Sequence, residues 1–140
     1  MESKVTLYKG GLFADDRGFL KFINDFNFEG VKRFYQVENY ERGFIRAWHG
    51  HKKEGKYVYV VQGSAIVGAV NMETQAVEKF ILSAAKPEIL WIPAGYYNGF
   101  KTLEENTKLI FFSTSTIDES KGDDIREEYD KWDIWDIIYR

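Results

Sequence analysis

Short β-prone runs follow one another along this chain, broken by turn signals at spacings of roughly 8 to 12 residues, a rhythm that leaves little room for helix. Residues 4–8, 19–23, 31–39, 44–51, 57–61, 65–70, 76–82, 88–92 and 109–114 read as strands, and the last of these as a buried one. Gly10-Gly11, the 14–18 stretch, Gln62-Gly63-Ser64 and Pro93-Ala94-Gly95 supply the punctuation. So many short strands with so little helical periodicity predict an all-β antiparallel sandwich or barrel. Eleven Phe, nine Tyr and four Trp reinforce the β reading. They also exceed what one small core holds, which predicts a second apolar surface or a pocket. At 140 residues the length suits a single domain spanning 1–140.

After residue 117 the pattern changes. Residues 118–130 are highly charged and have room for one helical turn, and Trp132, Ile134, Trp135, Ile137 and Ile138 then form an apolar end. That end predicts a short irregular or partly helical C-terminal strap, expected to cover a barrel mouth. A strap so placed can also deliver a carboxylate to a site.

Several function classes are excluded or disfavoured. There is no cysteine, so disulfides, thiolate nucleophiles and Cys-based metal sites are ruled out. The formal charge is −3 with scattered basic residues, which argues against nucleic acid as a partner. A local basic cluster remains able to hold an anionic small molecule. No apolar window reaches the length of a membrane span, and the N-terminus lacks the apolar core of a secretory signal, so no membrane insertion is expected and a cytoplasmic location is.

The chemistry concentrates in residues 46–63, where the chain's two histidines stand one residue apart as His49-Gly50-His51. In an extended strand, Arg46 and Trp48 face one side while Ala47, His49 and His51 face the other. The spacing from Gly43 through His49 and His51 to Gly63, together with Pro93-Ala94-Gly95 before position 98, resembles the two motifs of the cupin family, which implies a jelly-roll β-barrel. Where those motifs place an acidic ligand this chain has Lys56, and where they place a further histidine it has Asn98. Two of the four usual ligands are thus replaced, one of them by a cation, and the site is read as holding no metal. A histidine able to take a proton, beside a lysine able to stabilise an oxyanion, suits proton abstraction next to a carbonyl instead.

Within the cupins, five ordered blocks resemble the dTDP-4-dehydrorhamnose 3,5-epimerases: Asp16-Arg17-Gly18-Phe19, the 34–39 run, Arg46-Ala47-Trp48-His49, Gly55-Lys56, and the 91–100 run ending Asn98-Gly99-Phe100. The resemblance implies a cofactor-free epimerisation of a nucleotide-diphosphate 4-keto-6-deoxysugar in deoxysugar or surface-polysaccharide biosynthesis. It makes His49 the base and Lys56 the partner of the enolate oxygen. Arg17, Gln36, Asn39, Arg46 and Asn98 match substrate-holding positions. The acidic partner of His49 would be Asp130, with Asp133 next. It further implies a homodimer paired through strands near the N-terminus. The family's tyrosine, which protonates the far face of the enolate, is replaced here by Ser115, Thr116 and Ile117. The Ala47 to His51 stretch is also similar to that of sugar 3,4-ketoisomerases, in which His51 would relay a second proton. A non-catalytic sugar-nucleotide-binding cupin is the remaining alternative.

Overall fold

The computed structural model describes residues 2–140; Met1, the first residue of the expected domain, lies outside the described residues. Two five-stranded antiparallel sheets face each other in a jelly-roll barrel. The first has the order β1-β9-β6-β11-β4, built from Thr6–Lys9, Glu88–Ile92, Lys56–Gln62, Lys108–Ser113 and Arg33–Glu38. The second has the order β12-β5-β10-β7-β8, built from Ile125–Arg126, Ile45–His51, Tyr96–Thr102, Ser64–Asn71 and Val77–Ser83. A separate hairpin, β2 (Gly11–Asp15) with β3 (Gly18–Phe22), stands apart from both sheets.

Period-two alternation decides what each sheet buries. Val58, Val60, Leu90, Ile92, Leu109 and Phe111 of the first sheet meet Ala65, Val67, Ala69, Leu82 and Phe100 of the second, and these form the central core. The intervening positions on β6 and β9 point outward, yet Tyr57, Ile89 and Trp91 are buried as well. Ile23, Phe26 and Val31, from the segment between β3 and β4, pack over them. The surplus of aromatic residues thus goes largely into layers that the chain itself covers.

The strap lies on the outer face of the second sheet, not over a barrel mouth as expected from sequence. Trp135 packs against Trp48 with ring centroids 5.1 Å apart, and both indole N–H groups donate to the Tyr129 carbonyl, at 2.8 and 3.1 Å. Gly68 makes room for this layer, since a Cβ there would stand 2.5 Å from the Trp48 ring and 2.6 Å from Ile134. Trp135 is 2% exposed. Trp135→Ala should therefore cost about 3–5 kcal/mol, the usual range for emptying a buried Trp site, read as a lower urea midpoint at unchanged slope. The mouth is covered instead by the segment before the strap, which includes the short helix α1 (Ile117–Lys121).

Three strands escape the sequence reading, one of them the two-residue β12 in the charged segment. β2 begins at Gly11, where the Gly-Gly pair predicts only a break, and β10 runs through Tyr96–Thr102, where Pro93-Ala94-Gly95 signals the turn but not the strand behind it. β10 sits at the centre of the second sheet, between β5 and β7.

Candidate active site

A cavity of about 340 Å³ opens inside the barrel. β5 contributes Arg46, His49 and His51, and β4 contributes Arg33, Tyr35 and Val37 on its inward parity. Lys56 opens β6, Asn98 and Phe100 come from β10, and Phe111 from β11. The covering segment adds Ser120 and Lys121 from α1, then Asp124 and Arg126.

Arg46 reaches the cavity because β5 is not regular. On β10, Asn98 pairs with His49 and Phe100 pairs with Arg46, so two steps on one strand match three on the other. The extra residue on β5 is a β-bulge, which turns both Ala47 and Trp48 outward and brings Arg46 round to the face of His49. The strict alternation expected from sequence, with Arg46 opposite His49, is broken there. Gly99 accommodates the bulge, since a Cβ at that position would meet the Ala47 Cβ at 2.5 Å.

His49 is partly buried, and its Nδ1 lies 4.0 Å from Oδ1 of Asp124. This carboxylate stands where sequence reading expects Asp130 or Asp133. Asp130 is exposed in the turn following β12, and Asp133 accepts from the Trp135 backbone N–H at 3.5 Å. Strand pairing explains the difference: β12 adds to the edge of β5 with Arg126 opposite His49, which delivers the residue next to that short strand. Asp123 fastens the same segment. Its carboxylate accepts from the backbone N–H groups of Lys52, Lys53 and Glu54 at 2.7, 2.8 and 3.1 Å. Burial pulls the Asp123 carboxyl upward, but these bonds outweigh it and hold the group below its ordinary value.

Burial lowers the pKa of the His49 imidazole from its ordinary 6.5, and the charges of Arg126, Lys56 and His51 act in the same direction while Asp124 opposes them. The neutral, proton-accepting form therefore persists to lower pH than in a free imidazole. The acid limb of kcat/KM for a reaction using His49 as base should fall below pH 6.5. Asp124→Asn should move that limb lower, and Arg126→Gln should move it up. An acid limb above 6.5 in the parent would contradict the arrangement.

Lys56 is buried, its ammonium 5.7 Å from the Tyr35 ring centroid and 5.8 Å from that of Phe111. Asn98 is also buried, and its amide donates to the His49 carbonyl at 3.2 Å. Asn39 works through a neighbour: its Oδ1 accepts from Nε of Arg46 at 2.7 Å. Gln36 stays on the outer face of β4, where its amide donates to Glu38 at 2.9 Å, because Arg33, Tyr35 and Val37 hold the inward parity. Arg17 sits at the tip of the β2–β3 hairpin, largely exposed and bonded to Asp15 at 3.0 Å, and does not line the cavity. Among the described residues no group of three or more His, Asp or Glu side chains is arranged to hold a metal ion.

Several cavity residues escape the sequence reading. Arg33 has the inward parity of β4, a signal visible once that strand's orientation is known. Lys121, Asp124 and Arg126 carry no such signal, because their segment reads only as charged. Together Arg33, Arg46, Lys56, Lys121 and Arg126 give the cavity five cations against the one carboxylate of Asp124 in its lining. Such a lining suits an anionic ligand.

A jelly-roll barrel enclosing two imidazoles, an ammonium and a set of guanidiniums has the architecture of the sugar-nucleotide isomerases. The chain belongs to the dTDP-4-dehydrorhamnose 3,5-epimerase family, which matches residues 3–135. It is 29% identical to the dTDP-4-dehydrorhamnose 3,5-epimerase of Salmonella typhimurium, over 79% of this chain and 69% of that one. Among solved structures, the dTDP-4-dehydrorhamnose 3,5-epimerase of Bacillus anthracis, with TDP and PPi bound, superposes with a TM-score of 0.78 at 22% identity, covering 98% of this chain and 87% of that one. The sugar 3,4-ketoisomerase of Thermoanaerobacterium thermosaccharolyticum, in complex with TDP, gives 0.71 at 23% identity, covering 93% and 92%. The family and these likenesses agree with the resemblance drawn from the five sequence blocks. Among the described residues no helix is long and apolar enough to cross a membrane.

Proposed function

We propose that this chain isomerises a nucleotide-diphosphate 4-keto-6-deoxysugar by proton transfer without a cofactor, with His49 as the base, and that the product is an epimer used in deoxysugar biosynthesis. The observation that carries this reading is the meeting, in one cation-lined cavity, of an imidazole biased toward its neutral form and a buried ammonium. His49 takes the proton from the carbon next to the ketone, and the electron pair of that C–H bond becomes an enolate whose charge settles on the carbonyl oxygen. Lys56 stabilises that oxygen. Return of a proton to the other face of the same carbon completes the inversion. The phenol of Tyr35 is the O–H group of tyrosine type in the lining and is assigned this donation, in place of the family tyrosine missing at 115–117. Arg33, Arg46, Lys121 and Arg126 are assigned to the diphosphate, which guanidinium groups grip in bidentate fashion. Asp124 takes the role of orienting His49.

A second reading, 3,4-ketoisomerisation, draws on His51. It lines the same cavity as His49, and its Nε2 is buried without a hydrogen-bond partner, which suits a same-face relay of the second proton. A dTDP-linked 4-keto-6-deoxyglucose, made in situ by its dehydratase and followed by NMR in D2O, separates the readings. Deuterium at the carbons flanking the ketone with inverted couplings marks an epimerase, and a carbonyl moved to C3 marks a ketoisomerase. Binding of dTDP with no deuterium uptake from any sugar offered would leave a non-catalytic binding protein.

The reading includes a cytoplasmic site of action, where nucleotide-linked sugars are at hand, and a homodimer. The β2–β3 hairpin supports the dimer, since Phe13 and Phe19 are 58% and 68% exposed on a pair of strands that joins neither sheet. Arg17, at its tip, then serves the cavity of the second copy. Light scattering at micromolar concentration should return twice the 16.4 kDa of the chain, and a mass near 16.4 kDa would overturn the dimer.

A further inference from the structure

Glu54 lies in the turn between β5 and β6 with its side chain fully buried, and the reaction as proposed gives it no part. A carboxylate removed from water is costly unless its oxygens are satisfied, and an apolar residue of similar size would serve packing at least as well. Here both oxygens are committed. Oε2 accepts from the Ser113 hydroxyl at 2.6 Å and from the Arg33 guanidinium at 3.4 Å, with the Lys56 ammonium 4.0 Å away. Oε1 accepts from the Ser120 hydroxyl of α1 at 2.7 Å and lies 3.6 Å from Nδ1 of His51. The backbone of Glu54 is held in turn, since its N–H donates to Asp123.

His51 completes the arrangement. Its Nδ1 faces two acceptors, the Asp123 carbonyl and the Glu54 carboxylate, so the hydrogen of the neutral ring belongs on Nδ1. Nε2 then carries the lone pair, and Nε2 is the buried atom with no partner in a residue that lines the cavity. An acceptor behind the ring that fixes which nitrogen is protonated also fixes which one can act as a base.

We propose that Glu54 is a positioning residue: its one buried carboxylate, 3.6 Å from Nδ1, reinforces the Nδ1–H form of His51 that the Asp123 carbonyl accepts, and it holds Arg33, Lys56 and the α1 cover in place around the cavity. The claim deepens the functional reading above and rests on it for its effect on turnover, but not for its effect on the imidazole. The chain has two histidines, so protein labelled with ¹⁵N-histidine gives two assignable rings. In the parent, at a pH where both rings are neutral, His51 should show a protonated Nδ1 and a bare Nε2. An Nε2–H ring in the parent overturns the proposal, whatever the protein's activity. In Glu54→Gln the charge beside Nδ1 is lost while the Asp123 carbonyl remains, and the Nε2–H share of the His51 ring should rise measurably above the parent's. Turnover of sugar C–H exchange should fall tenfold or more because Lys56, assigned to the enolate oxygen, loses its carboxylate partner at 4.0 Å. If Glu54→Gln folds and both its imidazole pattern and its kcat match the parent within threefold, the proposal fails. If it does not fold, Glu54→Asp, which draws the carboxylate back from Nδ1, should show the same change in the ring, and an unchanged ring overturns the proposal. A parent with no exchange on any ketosugar counts against the functional reading, while the tautomer comparison of parent and variant still decides the role of Glu54.

Discussion

His49→Asn is expected to keep the fold and most of the affinity for a nucleoside diphosphate while lowering isotope exchange at the sugar by about 10²-fold or more, the scale of losing a general base. The separation of the two effects follows from the geometry. The backbone carbonyl of His49 accepts from Asn98, and that bond survives a change of side chain. The diphosphate contacts are assigned to Arg33, Arg46, Lys121 and Arg126, none of which bonds to the imidazole. Asparagine is smaller than histidine, and the site is partly open, so the substitution neither overpacks it nor opens a closed apolar void. Exchange followed by NMR in D2O and dTDP affinity by calorimetry make the comparison. Exchange within threefold of the parent would remove His49 from the chemistry and leave a binding protein as the leading reading. His51→Asn divides the two isomerase readings: a ketoisomerase should still exchange the first carbon but form no product, whereas an epimerase should lose much less.

The second large effect is expected of Lys56→Met. Removing one preorganised donor from a developing oxyanion commonly costs about 10²–10³ in kcat, and Lys56 is the buried cation of this cavity. Methionine retains much of the stem's volume and can stay against Tyr35 and Phe111, so the loss isolates the charge. Stability should also change, because Glu54 then keeps Arg33 at 3.4 Å but loses the ammonium at 4.0 Å. A thermal melt beside the kinetics distinguishes these consequences. If kcat falls only in proportion to the unfolded fraction, Lys56 is a structural partner of Glu54 and not a catalytic residue. Lys56→Arg is a useful companion, since it restores charge with a planar, bulkier head and should recover stability more fully than rate.

The β character of this chain comes from nearest-neighbour information, and its metal-free reading of Lys56 and Asn98 from the cupin resemblance. Runs of β-prone residues such as 57–61 and 109–114 announce the strands, and turn residues announce where each strand stops. The five family blocks are likewise contiguous runs, and the family found by comparison is the one they point to. Where a strand was missed, at Tyr96–Thr102, the strong turn signal of Pro93-Ala94-Gly95 masked the run behind it.

Position along the sequence therefore determined the all-β class and the place of the imidazole pair on one strand face, because strand propensity and side-chain alternation are properties of the local backbone. The tertiary structure alone decided the rest. Arg46 joins His49 only because β5 carries an extra residue against β10, and the partner of His49 is Asp124 only because β12 pairs with the edge of β5. Glu54, just before the Gly55-Lys56 block, collects Arg33, Ser113 and Ser120 from three other elements. These meetings depend on which strands lie side by side and in what register. Which strands become neighbours is set by long-range packing of whole sheet faces, and no local period in the chain encodes it.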